Sequence, residues 1–474
     1  MKKDNKKGQV LIQVLVFGAV GVFLIGSLAG WGVLNLRASK QTLNREKAIQ
    51  IAEAGTDYYR WHLAHAPEDY QDGQGVPGPY THNFQDKNGT NIGQFILDIT
   101  PPIVGSTIVT VKSTGQINID ANTKRSITTQ LTKASWAKYA VAANAAMRFG
   151  EGTEVFGPIH SNNGIRFDGL AHNVISSSVE QYYDPDHYGS PEFGVHTHVY
   201  PQDPYPPAPV PIRTDIFEAG RQFPVPTVDF DGITMDLAEM QIDAQDQENG
   251  FYRPAAGALG YHVVLKTNDT FDLYKVNNFA TPPSGCEDVQ DQDGWGTWSI
   301  GNQEILGNYA FPENGIMFFE DNVFVDGQID TARLTIVAAS LPDNPPNRKS
   351  IIINNDLFYT SYDGKDVIGL IAQKDINIGL MSDDNLRIDA ALIAQNGRVG
   401  RYYYSSHCSP YHVRQSITLW GMIATNQRYG FAYTDNTGYQ TRSLNYDGYL
   451  LYNPPSSFPL TSGQYLTLSW EETD

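Results

Sequence analysis

"GQVLIQVLVFGAVGVFLIGSLAGWGVLNL", Gly8 to Leu36, decides how the rest of the 474-residue chain is read. From Val10 to Leu36 there is no charged side chain, and Gln13, Ser27 and Asn35 are the polar interruptions. A helix of about 27 residues rises roughly 40 Å, enough to cross a hydrocarbon core of roughly 30 Å with some tilt. The run exceeds the apolar core of a secretory signal, and no A-x-A cleavage site follows it, so the segment is expected to stay attached and to span about residues 10–36. Lys2, Lys3, Lys6 and Lys7 against Asp4 make residues 1–8 a basic leader of charge +3, which places the leader on the cytoplasmic side and the body outside.

The segment beyond the span, "RASKQTLNREKAIQIAEAGTDYYRWHLAHAP" (Arg37 to Pro67), holds no proline before Pro67 and Gly55 as its one glycine. Strong helix formers dominate, and Leu43, Ile51, Ala52, Ala54 and Tyr58 or Tyr59 recur at helical spacing. One continuous helix over 9–66 is predicted, ended by Pro67. Its outer half is amphipathic and needs a partner, either a domain of the same chain or neighbouring helices. Within the span Gly26 and Gly30 form a G-x-x-x-G pair, the spacing that lets helices approach closely.

The basic leader ending in Gly8, the apolar helix that follows at once, and "LNREKAIQIAEAGTDYYRW" together resemble the N-terminal region of type IV pilin-like proteins, in particular PilX-type minor pilins. The A-x-x-x-A-E-A-G segment of that group corresponds to Ala48, Ala52, Glu53, Ala54 and Gly55. The resemblance covers residues 1 to about 135. It implies cleavage by a prepilin peptidase between Gly8 and Gln9, followed by methylation of the new N-terminus. It also implies packing among other pilin subunits on a pilus assembly platform. The glutamate typical of the fifth mature position falls on Gln13, and Gln9 replaces the usual aromatic or methionine. A neutral amide is less costly to bury in lipid than a carboxylate, but it forms no ion pair with a neighbour's terminal amine.

Three alternating stretches, "GQFILDITPPI", "STIVTVKSTGQIN" and "TKRSITTQLTKASW", read as antiparallel strands, giving a small pilin-like sheet over 67–135. The fold class is therefore α+β at the N-terminus, followed by a mainly-β body over 136–474. "NGIRFDG" (Asn163 to Gly169), "DNVFVDG" (Asp321 to Gly327) and "LIAQKDINIG" (Leu370 to Gly379) repeat one theme of short strands closed by Asn, Asp and Gly turns. Such repetition predicts a parallel β-helix or β-solenoid, with a β-sandwich as the alternative. "YPQDPYPPAPVPIR" begins a proline-rich loop over about 200–226, and Met235 to about Gln245 is the one helix expected in the body.

The formal charge of −19 leaves −22 after the leader, a surface that repels phosphate backbones and excludes nucleic acid as a partner. Cys286 and Cys408 match no zinc-binding spacing and are either one long-range disulfide or two buried thiols. "HTH" (His196 to His198) with His187, and "HCSPYH" (His407 to His412), bring no matching carboxylate at a familiar ligand spacing. They read as surface-loop histidines, and no metal or cofactor is predicted. "DVQDQDG" (Asp288 to Gly294) fails the EF-hand pattern at Val289 and Ile300. Asp363, Asp366, Asp383, Asp384 and Asp389 are the candidates for a glycan-cleaving site, but they lie in turn contexts where aspartate caps its own backbone.

The expectation is a non-catalytic minor pilin displaying a large surface domain, first membrane-anchored and then on a pilus or the cell surface. Its body would offer a surface to a glycan or protein ligand. The competing readings are an adhesin tethered by an uncleaved helix and a tethered β-helix enzyme acting on carbohydrate.

Overall fold

The computed structural model describes residues 6–102, 107–230, 233–451 and 453–473. Residues 1–5 of the basic leader lie outside the described residues. The chain forms two compact units, one of residues 1–101, 109–131 and 467–474, the other of 102–108 and 132–466.

In the first unit a single helix, α1, runs over Lys6–His65, and Gly8 and Gln9 fall in its opening turns. The stretch from Val10 is apolar and long enough to cross a membrane, with a mean hydropathy of 2.4 in its best window and nothing packed against that window. Every large apolar side chain from Val10 to Leu36 is exposed. Farther along, Ala48, Ile51, Ala52, Tyr59 and Leu63 are buried. They lie against an antiparallel sheet of β1 (Tyr80–Gln85), β2 (Asn91–Thr100), β3 (Val109–Ile117) and β4 (Asp120–Ser135).

The small residues of the A-x-x-x-A-E-A-G segment have a physical reason here. A Cβ added at Gly115 of β3 would sit 2.0 Å from the Ala48 carbonyl oxygen and 2.6 Å from the Ala52 nitrogen. One added at Gly55 would sit 2.2 Å from Ser113 Oγ. Helix and strand backbones touch, which only glycine and alanine permit. Phe95, Leu97, Val111, Ile127 and Leu131 complete the core.

The sequence reading placed β2, β3 and β4 in this sheet but not its two other members. β1, "YTHNFQ", carries too little apolar alternation to stand out. The C-terminal strand, Leu460–Thr473, joins the edge at β4, where Ser469 bonds Gln130 and Glu472 pairs with Arg125. Assigning everything after residue 135 to the body is thus corrected at its end, because residues 467–474 belong to the first unit. A strand 345 residues away pairs through its backbone, which leaves no local sequence signal.

The second unit is a parallel β-solenoid with three columns of short strands. Along one column Met317, Ile336, Leu370, Leu392, Ile423, Val141, Ile159 and Ile175 pair in register. A second column stacks Leu357, Ile388, Leu419, Leu444, Val155 and Ala171. The third runs through Tyr261, Val323, Ile351, Ile376 and Val399, and, in the early coils, Met147, Ile165 and Val195. All these side chains belong to one buried core. Each coil stacks its inward residue on the same residue of the next, so the apolar column continues without helices.

The order of stacking differs from the order of sequence. The first coil strand, Val141–Ala143, stacks directly on Val413–Thr425, one of the last, and Ile159–Ser161 stacks in turn on Val141–Ala143. Asn144 donates to Asn426 at 2.8 Å across a separation of 282 residues. After the early coils the chain passes through helix α2 (Ile233–Gln245) and begins a new run at Phe251–Arg253, which then coils back toward the start. α2 begins two residues before its predicted start and buries Leu237, Met240 and Ala244 in a cluster with Phe318 and Ile371. Residues 200–226 are irregular apart from Arg221–Gln222. Tyr261–Lys266, Thr270–Phe279 and Ile300–Ala310 add an antiparallel extension that the sequence reading did not separate from the coils.

Candidate functional site

On the third column of the early coils, Met147, Ile165 and Val195 point inward, so the following residues, Arg148, Arg166 and His196, stand in register on the outer side. Residues 178–194 fold over them. Gln181–Tyr182 and Glu192–Phe193 make a short antiparallel pair. Gly194 donates to the Glu180 carbonyl at 2.8 Å, and a Cβ there would lie 1.9 Å from the Val179 carbonyl oxygen. This close crossing turns an outward column into a buried polar layer.

Histidines and acids meet in that layer. His187 Nδ1 and His198 Nε2 each lie 3.3 Å from Glu192 Oε1, and His196 Nε2 lies 3.6 Å from Asp184 Oδ2. Ligand atoms of Asp184, His196 and His198 fall within 4.8 Å of one another, as do those of His187, Glu192 and His198. Among the described residues these are the two groups of three or more such side chains close enough to hold a metal ion. The Glu192 and His196 side chains are 1% and 0% exposed, whereas His187 is 35% exposed and opens the cluster to solvent. Both ring nitrogens of His196, Nδ1 of His187, Oε2 of Glu192 and Oδ2 of Asp184 are buried without a hydrogen bond.

The surrounding polar groups fix the ligand-bearing backbone. The His198 N–H donates to Asp168 Oδ1 at 2.8 Å, and the Thr197 N–H to Asp203 Oδ2 at 3.2 Å. Asp203 is itself held by Arg221, which also donates to the Val195 and Pro211 carbonyls. Arg213 donates to the Val199 and Pro201 carbonyls, so two arginines pin the proline-rich loop beside the cluster. Arg166 is bonded to Asp168 at 2.7 Å and stands 3.8 Å from Asp184. Burial would raise the Asp184 carboxyl, but the facing His196, the Asp186 backbone N–H and Arg166 outweigh it and bring it down to about 2. Burial lowers the His198 imidazole, and the Arg166 and His196 charges lower it further, against the opposing pull of Glu192.

The reading of these histidines as surface-loop residues without a carboxylate is therefore corrected. His196 is buried, and Glu192 lies within the same dozen residues, in "HYGSPEFGVHTH". The His187, Glu192, His196 and His198 pattern was a usable signal, whereas Asp184 arrives through the fold of the covering segment.

The other candidates are dispersed. Gly26 and Gly30 have nothing within 4 Å of an added Cβ, and Gln13 is exposed on the bare half of α1. Cys286 and Cys408 are joined as a disulfide and pack with Leu380, Tyr402 and Tyr404. Asp366 accepts from the backbone N–H groups of Thr331, Thr360 and Ser361. Asp389 accepts from the Tyr359 N–H, the Tyr362 hydroxyl and Arg387, and Asp363 pairs with Lys365 at 2.8 Å. Asp384 accepts from the Gln415 N–H, and burial beside Asp356 raises the Asp383 carboxyl. Asp288 caps the N–H groups of Gln290 and Gln292. A cavity of about 140 Å³ is lined by His262, Phe324, Asp326 and Asn354, with His262 bonded to Asp326 at 3.0 Å.

No known family profile matches the chain, and no curated protein matches it. Among solved structures it is similar to the competence-associated pilin ComZ from Thermus thermophilus, at 13% identity and a TM-score of 0.30. That alignment covers 91% of this chain and 98% of ComZ. The likeness is too slight to assign fold or function.

Proposed function

We propose that the chain is a non-catalytic minor pilin or pilin-like subunit of the PilX type, which inserts its helix into a type IV pilus or related filament and displays the solenoid at the surface. The observation that carries this reading is the division of α1. Its inner part is bare and apolar from Val10 to Leu36, while Ala48 to Leu63 is packed on a sheet of its own chain. A simple tether needs the first part only; a filament subunit needs both, one face for neighbouring helices and one to carry its head.

The leader ending at Gly8 is the cleavage site in this reading, and Gln9 is the mature N-terminus. The neutral Gln13 enters the filament without the ion pair that a glutamate would make. A body of this size suits low copy number, since a regularly repeated subunit would clash with its copies. A non-catalytic role is favoured by Asp366 and Asp389, whose oxygens accept from backbone and side-chain donors. The solenoid's outer faces would serve a glycan or protein ligand.

The test is the N-terminal residue and intact mass of the protein recovered from membranes and from sheared filaments. A chain starting at a methylated Gln9 is expected. Recovery of intact residues 1–8 where other pilins of the same cell are processed would replace this reading with that of a tethered adhesin.

A further inference from the structure

We propose that His187, Glu192 and His198, with buried Asp184 and His196 beside them, form a binding site for one divalent transition-metal ion of the zinc class, which clamps residues 178–198 onto the outer face of the solenoid.

The donor chemistry selects the ion. Imidazole and carboxylate suit zinc and its neighbours, whereas calcium and magnesium prefer oxygen donors alone. Spacing agrees with this selection. With metal–ligand bonds of about 2.0–2.1 Å, tetrahedral geometry sets adjacent donors about 3.3–3.4 Å apart. Glu192 Oε1 stands 3.3 Å from both His187 Nδ1 and His198 Nε2. The 3.6 Å between His196 Nε2 and Asp184 Oδ2 lies beyond the 2.7–3.2 Å usual for an N–H···O bond, whereas His198 and Glu192 are within reach of one.

Burial supplies an independent argument. Glu192 and His196 are fully buried, and both have polar atoms without partners. A buried carboxylate oxygen or imidazole nitrogen without a partner is costly, and a cation satisfies several such atoms at once. Asp184, Glu192 and Asp168 face the layer, with Arg166 set against Asp168 and Asp184 and Arg148 in register beside it. The two groups share His198, and the tetrahedral ion belongs to the group that carries the 3.3 Å spacings, His187, Glu192 and His198, with Asp184 and His196 beside it. The bonds from the Thr197 and His198 N–H groups to Asp203 and Asp168 hold the ligand backbone in place, the outer support that such a site needs. Partly exposed His187 gives the ion a way in.

The experiment uses the full chain in detergent. Its metal content is measured as purified; the protein is then stripped with a chelator and titrated with Zn²⁺, and with Co²⁺ read by visible absorption. One equivalent with tetrahedral Co²⁺ bands is expected, along with protection of residues 178–198 from proteolysis when the ion is bound. H187A, at a partly exposed position, and the near-isosteric E192Q should each weaken binding by about tenfold or more while circular dichroism stays unchanged. H407A serves as the control and should bind as the parent does. Absence of retained metal together with absence of Co²⁺ bands would overturn the site. Parent-like affinity in H187A and E192Q would also overturn it, and two equivalents would overturn the single centre. The assignment is independent of the filament reading, because neither cleavage at Gly8 nor assembly enters the measurement.

Discussion

Helix α1 carries the same device twice, with opposite outcomes. Gly26 and Gly30 put small residues four apart on one face, and so do Ala48 and Ala52, with Gly55 just beyond. The second set lies against β3 so closely that Gly115 has no room for a Cβ, while nothing approaches the first. A small-residue face only makes close contact possible, and it stabilises when a backbone occupies it. The outer face found its partner within the chain. The inner face, in the proposed function, finds it in neighbouring subunits.

The largest effect is expected where two chain-distant parts of the solenoid meet. Ile423→Ala opens a hole between Leu392 and Val141 and should cost about 4 kcal/mol, read as a fall in the denaturation midpoint of the body. Gly115→Val drives a side chain into the Ala48 carbonyl and should cost on the order of 3 kcal/mol, with loss of amide protection in Ala48 to Leu63. If instead it leaves protection intact, the contact between helix and strand is not what holds the outer half.

Replacing Cys286 and Cys408 by serine removes a link across 122 residues and should cost about 2 kcal/mol, matched by the effect of reductant on the parent. The smallest effect on stability is expected on the inner face. Gly26→Leu with Gly30→Leu should leave ectodomain stability within about 0.5 kcal/mol of the parent, yet reduce recovery in sheared filaments. A large loss of stability with normal filament recovery would reverse the contrast between the two faces.

The legible features were those whose signal lies in neighbouring residues. The uncharged run from Val10 to Leu36, the helical spacing to His65 and the stop near Pro67 specified α1 to within a few residues. Alternation marked β2, β3 and β4, and the turn-bounded strands marked a solenoid. β1 escaped because its polar residues blur the alternation, and the antiparallel extension because a short apolar run looks alike in either kind of sheet. Within the candidate site, His187, Glu192, His196 and His198 stand within twelve residues, yet the sequence reading passes over Glu192 and places the histidines in surface loops. Their burial was not legible, since it depends on residues 178–194 crossing back over the outer face through the close contact at Gly194.

By itself the sequence determined the elements: a membrane-length apolar helix, its amphipathic continuation, short strands with an inward apolar residue, and an acidic surface. These follow from periodicity and composition, which are properties of adjacent residues. The tertiary structure alone decided which elements meet. It returned the last strand to the first sheet, set Ile423 against Val141, joined Cys286 to Cys408, and brought Asp184 to the histidines. Stacked strands pair through backbone groups that every residue carries, so the choice of neighbour rests on the packing of whole coils and leaves little trace in the residues between them.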